Sequence, residues 1–316
     1  MSPKPRQGTL LADVGGTNVR FALSIDGGDP DRTEQFAVAD FAEFELAAAA
    51  YLSQAGLSPR DGVFAVAGTV HDGLVHLTNH PWKISAEGSA DALGLKSVRL
   101  VNDFTAIALA VRHLAPNDLE KIGGGSGVDD SNIAVLGPGT GLGVSYLFRA
   151  ADQWVPVSGE GGHVGIAPTD PFQDKFVGIL RDEFGRASLE RALSGPGLVN
   201  LYLGGAGPQP SLGPAPSPAD VAGAALGGDP EALAAVKSFS SMLGAAAGDM
   251  ALSVSARGGV YVAGGVVPGL GDAFDRDEFR TAFEDKGRFA YLLKSIPTYL
   301  ITHRTPGLVG LAHMPT

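Results

Sequence analysis

Asn102 and Asp103 are well placed to do chemistry, because they follow an apolar strand and open a helix. Residues 98–101 alternate loosely, as a buried strand does. The apolar residues that follow recur at helical spacing, at Phe104, Ile107, Ala108, Val111 and Leu114. The N-terminal helix dipole favours an ionised carboxylate at such a junction, as a general base requires. A simple helix cap occupies the same kind of position, so both interpretations are open on position alone.

Two glycine-containing turns each join a pair of apolar runs. The first, Gly15 to Asn18, separates residues 9–14 from 19–25, with Asp13 at the end of the first run, and the second occupies residues 137–143. The pattern predicts two β-hairpins whose turn amides are available to a phosphate, as are the hydroxyls of Thr17 and Thr140. Glycine is also the usual residue of a tight turn without a ligand. Finding two such turns in one chain favours the phosphate interpretation.

The second turn does not have the spacing of the common nucleotide loops. A dinucleotide fingerprint needs Gly-x-Gly-x-x-Gly, and its last position is Leu142 counted from Gly137 and Val144 counted from Gly139. The Gly-Lys-Ser/Thr of a Walker loop occurs nowhere in the chain. A hairpin turn with available amides is the interpretation that remains.

Three further segments contain polar side chains suited to one ligand. Glu160 and His163 stand between glycines in GEGGH, where a flexible backbone lets them converge; a metal site there would lack a third protein ligand nearby. Asn79 lies in the polar loop LTNHPW, and Glu190 comes shortly before a break at residues 195–197. The alternatives are a surface loop, a turn-forming Asn and a solvated Glu.

The remaining pattern predicts a mixed α/β protein. Helices are predicted at residues 39–52, 173–193, 218–228 and 230–256, with a charged helix end at 279–288 and a closing helix from 306. Strands are predicted at residues 62–67, 258–268 and 297–302. Trp82 is predicted to pack in the core. Residues 121–132 are predicted to form a flexible connector, and the Gly/Pro-rich residues 204–218 an exposed excursion.

Bulk properties narrow the class of protein. The chain of 316 residues is long enough for two domains, with 44% hydrophobic and 18% charged residues. A net charge of −11 argues against a nucleic-acid partner. The absence of an 18-residue apolar run argues against a membrane span, and the N-terminus lacks a signal-type segment. Zero cysteines exclude disulfides and fit a cytoplasmic protein.

The order of the motifs resembles the bacterial ATP-dependent glucokinase family, sugar kinases of the actin-like ATPase superfamily. The segments that carry the resemblance are LLADVGGTNVRFAL, LTNHPW, VNDFTA, GPGTGLGV, GEGGH, LERALSGPGLVNLY, GGVYVAGGVVP and FRTAFEDKGRF. It implies a two-domain actin-like (ribonuclease-H-like) α/β fold with a cleft between the domains. Residues 1–112 with 298–316 would form the small domain, and residues 113–297 the large one.

The resemblance also implies a role for each candidate residue. ATP would be bound by Ala12, Asp13, Val14, Gly15, Gly16, Thr17, Gly137, Gly139, Thr140, Gly141, Gly264 and Gly265. Glucose would be bound by Asn79, Asn102, Asp103, Glu160, His163 and Glu190. Asp103 would be the catalytic base, and Asp13 would hold Mg²⁺ through water. The expected reaction is transfer of the γ-phosphoryl of ATP to the 6-hydroxyl of glucose, by a cytoplasmic homodimer.

Three rival classes fit the sequence less well. The family of repressors, open-reading-frame kinases and sugar kinases typically follows its Glu-His loop with a cysteine-rich zinc segment, and this chain has no cysteine. A sugar sensor would need a DNA-binding helix-turn-helix, and about eight residues precede the first predicted strand. A bare actin-like ATPase leaves Glu160, His163 and Glu190 unexplained. Sugar-independent ATP turnover would favour that last class.

Overall fold

The computed structural model describes residues 8–77, 80–205 and 210–314. The described strands are β1 (Gly8–Val14), β2 (Asn18–Ile25), β3 (Asp31–Ala37), β4 (Asp61–Val66), β5 (Leu74–His76), β6 (Lys83–Ser85), β7 (Ser97–Asn102), β8 (Leu119–Gly123), β9 (Ile133–Pro138), β10 (Leu142–Ala150), β11 (Gln153–Gly159), β12 (Gly259–Val262) and β13 (Thr298–Ile301). The described α-helices are α1 (Phe44–Ala55), α2 (Ala86–Leu93), α3 (Asp103–Ala110), α4 (Pro171–Phe184), α5 (Gly195–Gly205), α6 (Pro218–Leu226), α7 (Pro230–Val254), α8 (Val266–Leu270), α9 (Arg276–Glu284), α10 (Ala290–Ser295) and α11 (Pro306–Ala312).

Internal contacts divide the chain into two compact units. Unit 1 runs up to Pro116 and resumes at His303, and unit 2 is Asn117–Thr302. The predicted domain limits at residues 112 and 298 stay a prediction. No helix in the described part of the chain combines the length and the apolar character needed to span a bilayer.

Unit 1 is built on a five-stranded sheet in the order β3-β2-β1-β4-β7. The strands β3, β2 and β1 are antiparallel neighbours, whereas β1, β4 and β7 run parallel. Aromatic side chains of β2, β4 and α1 close its core: Phe21 stacks on Tyr51, and Phe44 lies against Phe64. Trp82 is 2% exposed and packs in the same core, as predicted.

Unit 2 repeats this strand pattern. Its six-stranded sheet has the order β11-β10-β9-β12-β13-β8. The β9–β10 pair is an antiparallel hairpin, and β9, β12 and β13 are parallel, as β1, β4 and β7 are in unit 1. Both predicted glycine-turn hairpins are therefore confirmed, and each occupies the same place in its own sheet.

The prediction of a flexible connector at residues 121–132 is wrong at its start. Leu119–Gly123 is the edge strand β8, paired with β13. The Arg280 guanidinium, nearly buried, donates to the carbonyl oxygens of Leu293 and Ile296. Gly124 has φ +90° and lies against the Ile296 carbonyl, where a Cβ would overlap the oxygen. These glycines therefore permit close backbone packing. From the sequence pattern alone they indicated a flexible segment.

Several predicted helix and strand boundaries differ from the observed ones, most of them at glycines. The helix predicted at 173–193 ends at Phe184, where Gly185 has φ +73° and serves as a left-handed cap. The segment from Gly195 opens α5 instead of breaking a helix. The strand predicted to reach residue 268 ends at Val262, and α8 follows it. Helix α1 begins at Phe44, later than predicted.

The excursion predicted at residues 204–218 lies partly outside the described residues, at 206–209. Its described continuation is held in place. The Ser211 N–H donates to Glu231 Oε2 over 2.9 Å, and the Leu212 N–H donates to the Tyr202 hydroxyl over 2.9 Å. These bonds attach the segment to α5 and α7. The prediction of flexibility is therefore wrong at Ser211 and Leu212, whereas Ser211 is exposed as predicted.

Helix α11 packs on α3 at a glycine, and this contact gives the first testable prediction. A Cβ on Gly310 would overlap the carbonyl oxygen of Ala106, so Gly310→Ala must separate the two helices. We expect a loss of about 3 kcal/mol in the free energy of unfolding, the upper range for overpacking. Urea unfolding checks this. The matched control is Gly178→Ala in α4, where nothing lies within 4 Å of the new Cβ; equal stability of the two variants would contradict the prediction.

Candidate active site

The unit 1 candidates lie at one edge of its sheet. Asp13 is in register with Ala65 on β4, and Ala65 with Val101 on β7. Because these strands are parallel, their carboxyl ends meet at the same edge, which is where ligands bind in open α/β sheets. The first glycine turn and the Asn102-Asp103 pair follow these strand ends.

The helix cap at the start of α3 is Asn102, not Asp103. The Asn102 Oδ1 accepts the N–H groups of Phe104 and Thr105 over 2.9 and 3.3 Å, and its Nδ2 donates to the Gly68 oxygen over 3.3 Å. Among the described residues Nδ2 makes this one hydrogen bond, so its second hydrogen can serve a ligand hydroxyl. Asp103 is the first helical residue, and its Oδ1 accepts the Phe104 N–H over 2.9 Å. The rigid junction that the sequence indicated is therefore present, with the two side chains in different roles.

Asp13 is enclosed at the end of β1. Its side chain is 21% exposed, and its Oδ2 lies 3.7 Å from a guanidinium nitrogen of Arg20, directly opposite in the hairpin. Burial raises the pKa of the Asp13 carboxyl above its ordinary value of 3.8, and the charge of Arg20 opposes the shift. A Cβ on Gly307 would lie 3.2 Å from the Asp13 Cγ, so glycine lets α11 begin against the carboxylate.

The residues around Asp13 offer backbone amides and the Thr17 hydroxyl to a ligand. Ala12 and Val14 are fully buried in the core of unit 1. Gly16 and Thr17 are exposed at the tip of the hairpin, and the turn is closed by a 3.0 Å hydrogen bond from the Gly15 N–H to the Asn18 oxygen. The geometry is that of an exposed backbone turn beside a carboxylate, which suits a phosphate and its counter-ion.

The second turn is held on two sides within unit 2. The Gly139 N–H donates to the Gly141 oxygen over 2.8 Å, and the Gly195 N–H donates to the Gly139 oxygen over 2.8 Å. Gly264 has φ +84° and lies against the turn, where a Cβ would overlap the Pro138 oxygen. Thr140 is exposed at the tip. The end of β12, with Gly264 and Gly265, is thus adjacent to the second phosphate-type turn.

The GEGGH segment lies beside the start of β10. Gly161–His163 forms a 3₁₀ turn, closed by a 3.0 Å hydrogen bond from the His163 backbone N–H to the Glu160 carbonyl oxygen. A Cβ on Gly162 would overlap the Leu142 oxygen, so glycine is required for this approach. The side chains of Glu160 and His163 are exposed. Two candidate sugar ligands therefore stand next to the strand that leaves the second turn.

Glu190 reaches the same strand from a different segment. Its Oε2 accepts the Leu142 N–H over 3.0 Å, and a Cβ on Gly141 would overlap that carboxylate oxygen. Unit 2 therefore brings Glu160, His163 and Glu190 together around the second turn. Asn79 lies outside the described residues.

Sequence reasoning missed several supporting residues. Arg20 was detectable, because hairpin register places it opposite Asp13. Gly68, Gly195 and Gly307 act through backbone contacts with residues distant in sequence, and no local pattern signals such contacts.

Comparison with known proteins defines the class. The family model described as Glucokinase matches residues 10–316. A glucokinase of Paramagnetospirillum magneticum is 43% identical over 98% of both chains. The crystal structure of a glucokinase from an Antarctic psychrotroph has a TM-score of 0.86 and 33% identity, covering 97% of this chain and 98% of that one. A ROK family glucokinase from Streptomyces griseus, solved with glucose and AMPPNP, has a TM-score of 0.66 and 20% identity, with 96% and 98% covered.

These matches establish an α/β sugar kinase with the actin-like ATPase fold. The chain belongs to the glucokinase family. The predicted fold class, the family resemblance and the prediction of an ATP-dependent glucokinase are confirmed.

Proposed function

We propose that the protein transfers the γ-phosphoryl group of ATP to the 6-hydroxyl of glucose, with Asp103 as the general base. Asp103 would accept the hydroxyl proton as the oxygen attacks phosphorus. The observation that carries this role is the position of Asp103: a carboxylate fixed in the first turn of α3 by its bond to the Phe104 N–H, behind the Asn102 cap. Negative charge is favoured at a helix N-terminus by the helix dipole.

The remaining polar candidates suit a hexose, which presents several hydroxyls and little apolar surface. Asn102 offers an N–H donor, and the carboxylates of Glu160 and Glu190 offer acceptors. The His163 ring can donate from one nitrogen and accept at the other. A site that pairs every hydroxyl rejects analogues that lack one, because its own polar groups are then left unpaired. The family membership and the glucose bound by the S. griseus enzyme support this assignment. Asn79 is included by resemblance.

The two turns would bind the nucleotide. Residues 13–17 and 137–141 offer backbone amides and the hydroxyls of Thr17 and Thr140 to the phosphates, and Gly264 and Gly265 would lie against the adenosine. The AMPPNP bound by the S. griseus enzyme supports an ATP site.

Asp13 has the chemistry to hold Mg²⁺ with the nucleotide. Magnesium in kinases usually takes one or two carboxylates, several waters and substrate phosphates. Among residues 8–77, 80–205 and 210–314 there is no group of three or more His, Cys, Asp or Glu that could hold a metal. Burial of Asp13 leaves a carboxylate only partly compensated by Arg20. When bound, the ion would neutralise charge on the β- and γ-phosphates.

The proposal extends to the working form of the enzyme, a cytoplasmic homodimer. The homodimer is supported by the expectation for the family. A chain without cysteine fits the reducing cytoplasm. Light scattering during gel filtration tests the dimer, and a monomeric mass at micromolar concentration would contradict it.

A coupled assay of glucose 6-phosphate formation tests the activity. We expect ATP- and Mg²⁺-dependent product with glucose, and ADP release far slower without sugar. Mannose, fructose and glucosamine, tested at one ATP concentration, measure the selectivity. Rapid sugar-independent ATP turnover would contradict the proposal in favour of a bare ATPase.

A further inference from the structure

Glu190 lies at the junction between two segments with different proposed substrates. Its segment, residues 190–197, contacts the second turn at two points. One is the Glu190 carboxylate on the Leu142 N–H at 3.0 Å, and the other is the Gly195 N–H on the Gly139 oxygen at 2.8 Å. Ser194 Oγ donates to the backbone carbonyl oxygen of Glu190 over 2.7 Å and accepts the Gly197 N–H over 3.0 Å, which stiffens the segment. A displacement of Glu190 is therefore felt directly at the turn.

The contact is unfavourable for an anion at that turn. A phosphate-binding hairpin works through backbone N–H groups and has no use for a nearby negative charge. Here the half-buried Glu190 carboxylate occupies the Leu142 N–H and lies against Gly141. A phosphate approaching the turn meets like charge at short range, and this repulsion is weakly screened at a partly buried position.

We infer that Glu190 is a positioning residue that makes nucleotide binding depend on sugar. Without sugar, its carboxylate holds the Leu142 amide and opposes the phosphates. When a sugar hydroxyl donates to Glu190, it competes with the Leu142 N–H for the carboxylate and draws the side chain towards the sugar, so the amide is released to the nucleotide. This inference rests on the proposed role of Glu190 as a sugar ligand. It adds a coupling between the two substrates, which by linkage must be reciprocal.

The coupling explains how a kinase limits wasteful ATP hydrolysis using only residues of unit 2. The steric fit is tight, since Gly141 has no room for a Cβ beside the carboxylate. Neutral glutamine has almost the same shape as glutamate, and its amide oxygen can still accept the Leu142 N–H. Glu190→Gln therefore removes the charge and preserves the contact.

Isothermal titration with AMPPNP and Mg²⁺, with and without glucose, tests the inference on the whole chain. We expect glucose to tighten AMPPNP binding to the wild type by about 5- to 100-fold, the usual range of coupling between sites. Glu190→Gln without glucose should bind AMPPNP more tightly than the sugar-free wild type, and glucose should add less than about twofold, which is the loss of that coupling. Its sugar-independent ATPase rate should rise.

A matched control is Glu231→Gln. Glu231 also accepts a backbone amide, the Ser211 N–H at 2.9 Å, but it is bonded to a different segment of unit 2. We expect it to retain the wild-type coupling. Weaker AMPPNP binding by sugar-free Glu190→Gln would show a merely structural role and overturn the inference, as would a wild-type affinity that is unchanged by glucose. Failure of the proposed function itself is separate, since it appears as absent glucose 6-phosphate formation by the wild type.

Discussion

Asp103→Ala is expected to lower kcat for glucose phosphorylation by on the order of 10²-fold or more, with a smaller change in KM for ATP. The loss follows from removing a general base that acts in the transition state. Asp103→Asn should be almost as impaired, because an amide cannot take the hydroxyl proton. It fills the same space and can still accept the Phe104 N–H that Asp103 binds at 2.9 Å, so the structure is retained. The measurement is steady-state kinetics in the coupled assay, with both substrates varied.

The control separates chemistry from helix capping. Asp170 also stands at a helix start, where its Oδ1 accepts the Gln173 N–H over 2.8 Å at the beginning of α4. Asp170→Ala should cost about 1 kcal/mol of stability through the lost cap and leave kcat near the wild-type value. If Asp103→Ala retained kcat within about tenfold of wild type, the base assignment would fail, since general-base catalysis contributes more than that.

The sequence predicted the two hairpins and the strand–helix junction better than it predicted the contacts that hold them. Both hairpins were detectable because strand alternation and paired glycines are local signals. The junction at Asn102 and Asp103 was detectable for the same reason. Which of the two residues caps the helix was not detectable, because both side chains accept the Phe104 N–H. The Asn102 side chain is also bonded to the Gly68 oxygen, 34 residues away in sequence.

The structural roles of the glycines depended most on tertiary contacts. Gly124 and Gly162 have glycine-rich surroundings that look alike in sequence, and the first was interpreted as part of a loose connector. In the structure each admits a backbone carbonyl, that of Ile296 or Leu142, where a Cβ would overlap it. A local pattern indicates that a position needs no side chain, but the atom that occupies the space comes from a distant segment.

The distribution of charge explains why Asp13 is costly to the fold and useful to the site. Burial raises its pKa in the folded protein above 3.8, so the folded state binds the proton more tightly than the unfolded state. Stability is therefore lost as pH rises from about 3.8 through the raised folded pKa. An asparagine at this position has no charge to desolvate and avoids the loss.

Asp13→Asn is accordingly expected to gain stability and lose activity. At neutral pH its free energy of unfolding should exceed that of the wild type, and the difference should shrink as the pH falls towards 3.8. Its kcat/KM for MgATP should fall on the order of 10²-fold, as when one electrostatic contributor to the transition state is removed. Urea unfolding across pH and coupled kinetics measure the two effects.

The opposite signs make this variant diagnostic. The matched control is Asp152→Asn, at a fully exposed carboxylate, which should change neither quantity. A destabilised Asp13→Asn would mean that the Arg20 pair at 3.7 Å outweighs the burial, and wild-type kinetics would remove Asp13 from the nucleotide site. A stable, inactive variant would show that the fold retains a destabilising buried charge because the reaction needs a carboxylate there to meet a cation.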